Sequence, residues 1–188
     1  MPATTNSDNL TEENRWLLAA QRGDKEAFGR IVAKYHRLVI SVTYRLCNDA
    51  ELADDVAQDT FLKAWQRLPD FHPKRDRSLR AWLCRIAHNR TIDLLRQAKP
   101  QSTFEAYDGV DEQGPLQQLV ARETVSDVQT AIQRLPESSR TALVLREYEG
   151  LSYAEIATVL NIPTGTVMSR LYHARRRLAK ELAPILNA

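Results

Sequence analysis

Two cation-bearing segments and one acidic strip hold the side chains with the most chemical content. In the first segment, Arg85, Asn89 and Arg96 fall on one stripe of a helix, with Trp82 at its border. Cations hold phosphates while amide and aromatic groups meet bases, so this stripe suits unpaired nucleotides. Asn89 is the residue best matched to a base edge. Arg90 falls near the centre of the neighbouring apolar stripe and is expected to be paired inside the fold. In the second segment, Ser169, Tyr172, His173, Arg176 and Lys180 share one helical face. Arg170 and Arg177 flank it on one edge, Met168 and Arg175 on the other. Small polar groups come early and cations late, as suits base edges followed by phosphates in a duplex groove. The acidic strip is Asp55, Gln58, Asp59 and Leu62, at i, i+3, i+4 and i+7. Carboxylates around one leucine fit a basic partner helix.

Helices must position all three. Apolar residues recur at three-to-four-residue spacing and no alternating strand is evident, so the fold class is all-α. The pattern predicts helices over roughly 12–21, 24–46, 49–68 and 78–98, with breaks at Gly23, at Asn48, and across Pro69 to Arg77. Phe61, Ala57, Ala64 and Leu68 should form the core face of the third; Leu79, Leu83, Ile86, Ala87 and Leu94 should form that of the fourth. The second block should hold about four short helices. Ser152 stands three residues before Glu155, the capping-box spacing. Asn161 tolerates a left-handed backbone, Pro163 stops continuation, and Thr164 can cap the helix that follows. The result is a helix-turn-helix whose second helix buries Val167, Leu171, Ala174, Leu178 and Leu182. The chain divides into an amino terminus at 1–11, a helical domain at 12–98, a linker at 99–121 and a second helical domain at 122–188. Within the linker, residues 100–121 hold Glu105, Asp108, Asp111 and Glu112 and no base, too polar to bury, so two small helical domains on a flexible tether are expected.

Charge distribution supports this division. The 26 basic and 24 acidic residues nearly cancel, yet they are segregated. Residues 72–99 carry eight bases against two acids, and 164–182 carry five bases against one. Cations gathered in two separate places point to a polyanion. With 43% hydrophobic and 27% charged residues, the chain is neither a disordered polymer nor a membrane protein. No stretch reaches the ~20 apolar residues of a spanning helix. Met1 to Leu10 lacks the basic and apolar regions of a secretory signal. Cys47 and Cys84 form no CxxC pair, which fits a reducing cytoplasm. Cys84 and His88 lie one turn apart but nothing completes a metal site, and no cofactor is expected. Without a phosphate loop, a nucleophile elbow or paired catalytic carboxylates, an enzyme is not expected.

Three segments in register resemble the bacterial extracytoplasmic-function (ECF) sigma factors. Asp54-Asp55-Val56-Ala57-Gln58-Asp59-Thr60-Phe61-Leu62-Lys63-Ala64-Trp65 is similar to their core-binding helix. Trp82-Leu83-Cys84-Arg85-Ile86-Ala87-His88-Asn89-Arg90 is similar to their promoter-melting helix, and Gly165-Thr166-Val167-Met168-Ser169-Arg170-Leu171 to the start of their −35 helix. The resemblance runs from about residue 12 to 184. It implies two helical domains that act within RNA polymerase holoenzyme, binding the clamp coiled coil of the largest subunit through Asp55, Gln58, Asp59 and Leu62, with the flap as a further contact. It implies promoter DNA as ligand: the −10 element met and melted by Arg77, Ser78, Arg80, Trp82, Arg85, Asn89 and Arg96, and the −35 element by Thr164, Thr166, Ser169, Arg170, Tyr172, His173, Arg176 and Lys180. The cation-rich loop Phe71–Arg80 would capture a flipped base, at a cost of a few kcal/mol for unstacking. The acidic linker would thread the polymerase cleft, and an anti-sigma factor would control the chain. Many members carry arginine where Met168 and His173 stand, so −35 base preference does not transfer.

Two rival classes share parts of this pattern. A helix-turn-helix repressor or response regulator would bind duplex DNA alone but needs neither a melting stripe nor an acidic dock. A helical adaptor would explain the periodicity but not the two basic segments.

Overall fold

The computed structural model describes residues 12–97 and 127–186. The amino terminus at 1–11 and the acidic linker at 99–121 lie outside the described residues. The first half holds α1 (Glu12–Gln21), α2 (Lys25–Cys47), α3 (Ala50–Arg67), a 3-10 turn at Leu68–Asp70, the single-turn α4 (Pro73–Asp76) and α5 (Leu79–Gln97). The second holds α6 (127–133), α7 (Glu137–Leu143), a π turn at Val144–Tyr148, α8 (Tyr153–Leu160) and α9 (Thr164–Leu186). Among the described residues there is no strand.

Local chemistry sets the boundaries where the sequence suggested. Asp24 caps α2 by accepting from the amides of Glu26 and Ala27, after Gly23 turns the chain at φ 93°. Asn48 ends α2 in the left-handed region, and the next residue, Asp49, caps α3 through the amide of Leu52. In the second half, Ser152 and Glu155 form the full capping box, and Asn161 closes α8 at φ 52°. Thr164 is the first residue of α9 rather than its cap: the carbonyl of Pro163 takes the first amide bonds, from Thr166 and Val167. The expectation of short helices fails for α9, which has 23 residues. The π turn was not expected; a one-residue widening leaves no periodic mark in so short a segment.

The two halves do not hang apart on a tether. One core cluster lies within the first half and includes Ile31, Val39, Phe61, Leu68, Phe71, Trp82 and Leu83. The other draws on both halves, joining Val42 and Leu46 of α2 and Ala81 and Cys84 of α5 to Ile132, Leu145, Leu151, Ile156, Val167 and Leu171. Fully burying one such aliphatic side chain is worth roughly 1.5–3 kcal/mol, against about 0–1 for an exposed ion pair. Apolar contact therefore dominates the union of the two halves. No helix is long and apolar enough to cross a membrane among the described residues.

Candidate nucleic-acid interface

The outer face of α9 is arranged as its periodicity requires. Val167, Leu171 and Ala174 are buried, with Leu178 packed behind them. Thr164, Ser169, Tyr172, His173, Arg176 and Lys180 are exposed, and Thr166 and Arg170 are half-buried. Tyr172 and His173 meet edge to face at 5.4 Å. Arg175 is tied back to Glu147, its Nη2 donating to Oε1 at 2.7 Å, while Arg176 and Arg177 beside it are exposed. Met168 is 53% exposed, one turn before Tyr172, so this face opens with an apolar element.

The segment at 71–97 is more constrained than its cations suggested. Phe71 and Asp76, each 1% exposed, anchor the loop from below. Asp76 accepts from the amide of His72 at 3.0 Å and from Arg85 Nη2 at 2.8 Å. Arg85 thus holds the loop rather than standing free on the stripe. Gln21 braces the same loop, its Nε2 donating to the carbonyls of Leu68 and Phe71, each at 3.0 Å. Arg77 then takes φ 64°, uncommon for a residue with a side chain. Trp82 requires a correction. It is 5% exposed and packs at a tilt on Phe71, ring centroids 5.2 Å apart, so it is a core aromatic and not the border of a nucleotide stripe. Asn89 is exposed, its Oδ1 3.1 Å from His88 Nδ1. Arg96 is exposed and reaches Glu137 at 3.2 Å. Arg90 is paired, as its place in the apolar stripe required, donating through Nε to Asp59 Oδ2 at 2.7 Å.

On α3, Asp55, Gln58 and Leu62 are exposed, with Leu62 at 62%. Asp59 is half-buried and engaged by Arg90, so it fixes the strip to α5 while the other three face outward. Ala57, Phe61, Ala64 and Leu68 are buried behind them.

Glu149, Glu155, Ser41, Arg45 and Thr158 join the two halves, a role that no local sequence pattern marks. Glu149 is 4% exposed; Ser41 Oγ donates to it at 2.9 Å and Arg80 Nη2 lies 3.6 Å away. Burial pushes its carboxyl above the usual 4.5, against the pull of Ser41, Arg80 and Arg45. Ser78 Oγ donates to Glu155 at 2.7 Å, Arg77 Nε to Thr158 Oγ1 at 3.1 Å, and Arg45 lies 3.9 Å over the Tyr148 ring. Burial also pushes the Cys84 thiol well up, so it stays protonated and inert. No group of three or more potential metal ligands occurs among the described residues.

Known proteins match this architecture at both ends. The Sigma-70 region 2 family model matches residues 31–101, and the Sigma-70 region 4 model matches residues 126–178. The RNA polymerase sigma-H factor of Pseudomonas aeruginosa is 40% identical over 95% of this chain and 98% of its own length. The ECF sigma factor SigW of Bacillus subtilis is 34% identical over 86% of this chain and 92% of its own. Among solved structures, CnrH in complex with the cytosolic domain of CnrY superposes with a TM-score of 0.72, covering 92% of this chain and 97% of CnrH at 30% identity. The sigma factor RpoE of Bartonella quintana, solved with the anti-sigma factor NepR, shares the fold at a TM-score of 0.68 and 24% identity, over 83% of this chain and 96% of RpoE. The chain belongs to the ECF RNA polymerase sigma factors, non-catalytic proteins that recognise promoters and initiate transcription.

Proposed function

We propose that Asp55, Gln58 and Leu62 dock this chain on the clamp coiled coil of the polymerase largest subunit, with Asp59 holding that strip against α5. The second domain contacts the flap and reads the −35 element through Thr164, Thr166, Ser169, Arg170, Tyr172, His173, Arg176 and Lys180. The first domain meets the −10 element through Arg77, Ser78, Arg80, Asn89 and Arg96, with Arg85 positioning the loop through Asp76. The observation that carries this reading is the division of α9. An apolar edge buried at Val167, Leu171 and Ala174 fixes the helix, while Ser169, Tyr172, His173, Arg176 and Lys180 are exposed on its polar and cationic face. The domain boundaries proposed are 12–98 and 122–188, with 99–121 lying in the polymerase cleft. A soluble protein that works with cytoplasmic polymerase, under an anti-sigma factor, fits the relatives above.

Transcription from a cognate promoter, with and without added core enzyme, tests this. Start-site-specific RNA should appear only when both are present. Specific initiation that ignores this chain, or no association with core at low salt, removes the reading.

A further inference from the structure

We propose that Met168 is a specificity-determining residue of the −35 contact: its thioether side chain meets the C5 methyl group of a thymine in the major groove, so this chain selects thymine at that position. The inference rests on assigning α9 to the −35 element, as above.

Met168 stands outside the buried edge of its helix. Val167 and Leu171, 0% and 1% exposed, fill that edge, whereas Met168 is 53% exposed. It is the fifth residue of the 23-residue α9, in the part of a recognition helix that faces base edges. One turn later Tyr172 also points outward, at 60% exposure. Together with Tyr153, Arg175 and Arg176, these two line an open hollow of about 570 Å³.

The other groups around this hollow are held in place or stand further along the helix. Arg175 is fully engaged, its Nε and Nη2 both donating to Glu147 Oε1, at 3.1 and 2.7 Å. Tyr153 is held as well, with Arg146 5.2 Å over its ring. Arg176 is exposed two turns after Met168, where a helix that has passed the base edges meets phosphates. The side chain nearest the start of α9 in this hollow is therefore a thioether and not a cation.

That chemistry picks one base. All four standard bases present donors or acceptors in the major groove, and thymine alone adds a methyl group. Methionine has no donor and only a weak acceptor, so against guanine it would leave N7 and O6 unpaired and out of water. Against thymine it covers an apolar group, and its unbranched, flexible chain adapts to the position of the methyl. An arginine at this site would read guanine instead.

Replacing thymine by uracil removes that methyl group and leaves the pairing edge intact. Holoenzyme carrying the full chain first selects its preferred −35 sequence from duplexes randomised across that element; each selected thymine is then replaced singly by deoxyuridine. At one position the exchange should weaken closed-complex binding about fourfold, the worth of one buried methyl group. Met168→Ala holoenzyme should bind the two duplexes equally, and Met168→Arg holoenzyme should select guanine at that position. A methyl penalty absent at every selected thymine, a penalty that survives Met168→Ala, or a thymine that persists in Met168→Arg overturns the proposal. Arg176→Ala separates this from the reading beneath it. If Arg176→Ala and Met168→Ala both leave −35 binding and selection unchanged, the −35 assignment of α9 falls; weaker binding by Arg176→Ala with no methyl penalty in the wild type removes only the role of Met168.

Discussion

Arg90 on α5 and Asp59 on α3 meet through Nε and Oδ2 at 2.7 Å, joining the helix that carries Asn89 to the helix that carries the acidic strip. The contact links the two tasks proposed above, docking by α3 and DNA contact by α5, because the pair fixes one helix against the other. Both side chains keep about a third of their surface in water, 30% and 39%, so screening limits the energy. A double-mutant cycle with Arg90→Ala and Asp59→Ala, read by urea denaturation, should give a coupling of about 0.5–1 kcal/mol. A coupling near zero would make the pair incidental.

The buried carboxylate of Asp76 is worth more. Its side chain is fully buried, taking one bond from Arg85 and one from the His72 amide. Asp76→Ala strands both donors and should cost about 3 kcal/mol in stability. The same substitution should slow promoter opening in holoenzyme beyond that loss, because the loop from His72 to Ser78 loses its anchor. Equal stability of mutant and wild type in a denaturant titration would show that water replaces the carboxylate.

Asn89 and Arg176 should separate the two promoter elements. With holoenzyme, Asn89→Ala should lower the rate of open-complex formation about tenfold while leaving duplex binding nearly unchanged. Arg176→Ala should weaken closed-complex binding and reduce the slope of log affinity against log salt by about 0.9, the signature of one lost phosphate contact. Permanganate footprinting and filter binding across a salt series distinguish these outcomes. Normal opening by Asn89→Ala removes the melting role, and an unchanged salt slope removes the phosphate role of Arg176.

Signals confined to one helical turn were legible in the sequence. Ser152 with Glu155, Asn161, and the Val167–Leu171–Ala174 edge depend only on neighbours three or four residues away, and all stand as expected. Arg90 was legible for the same reason: a cation inside an apolar stripe needs a partner. Trp82 was not, because a residue at the border of a stripe is exposed or buried according to what lies over it. Here that is Phe71, from a loop. The union of the two halves was less legible still. Ser41 and Glu149 meet across 108 residues of sequence, and neither has a local pattern that marks it for an interface. The polar linker suggested independence, but a linker's composition says nothing about whether the domains it joins share apolar surface.

Glu149 gives the interface a pH dependence whose sign can be fixed. Packing of the two halves buries its carboxyl and raises its pKa above the ordinary 4.5; in the unfolded chain, where water reaches it, the ordinary value returns. Between those two values the folded state holds a proton that the unfolded state lacks, so falling pH favours the folded state and rising pH opposes it. The groups facing it do not reverse this. Arg80 on α5 and Arg45 on α2 pull the Glu149 carboxyl down without overcoming its burial, and the Cys84 thiol, pushed up by burial, stays neutral. Glu155 on α8 is raised by burial, but hydrogen bonds from Ser78 and Ser152 bring it below 4.5 overall. Its stabilising contribution is lost only at lower pH, outside the window. The stability of wild type relative to Glu149→Gln, read by urea denaturation, should therefore rise as pH falls from neutral toward 4.5. A difference that does not change with pH would place the titrating group elsewhere, and one that falls on acidification would contradict the burial of the Glu149 charge.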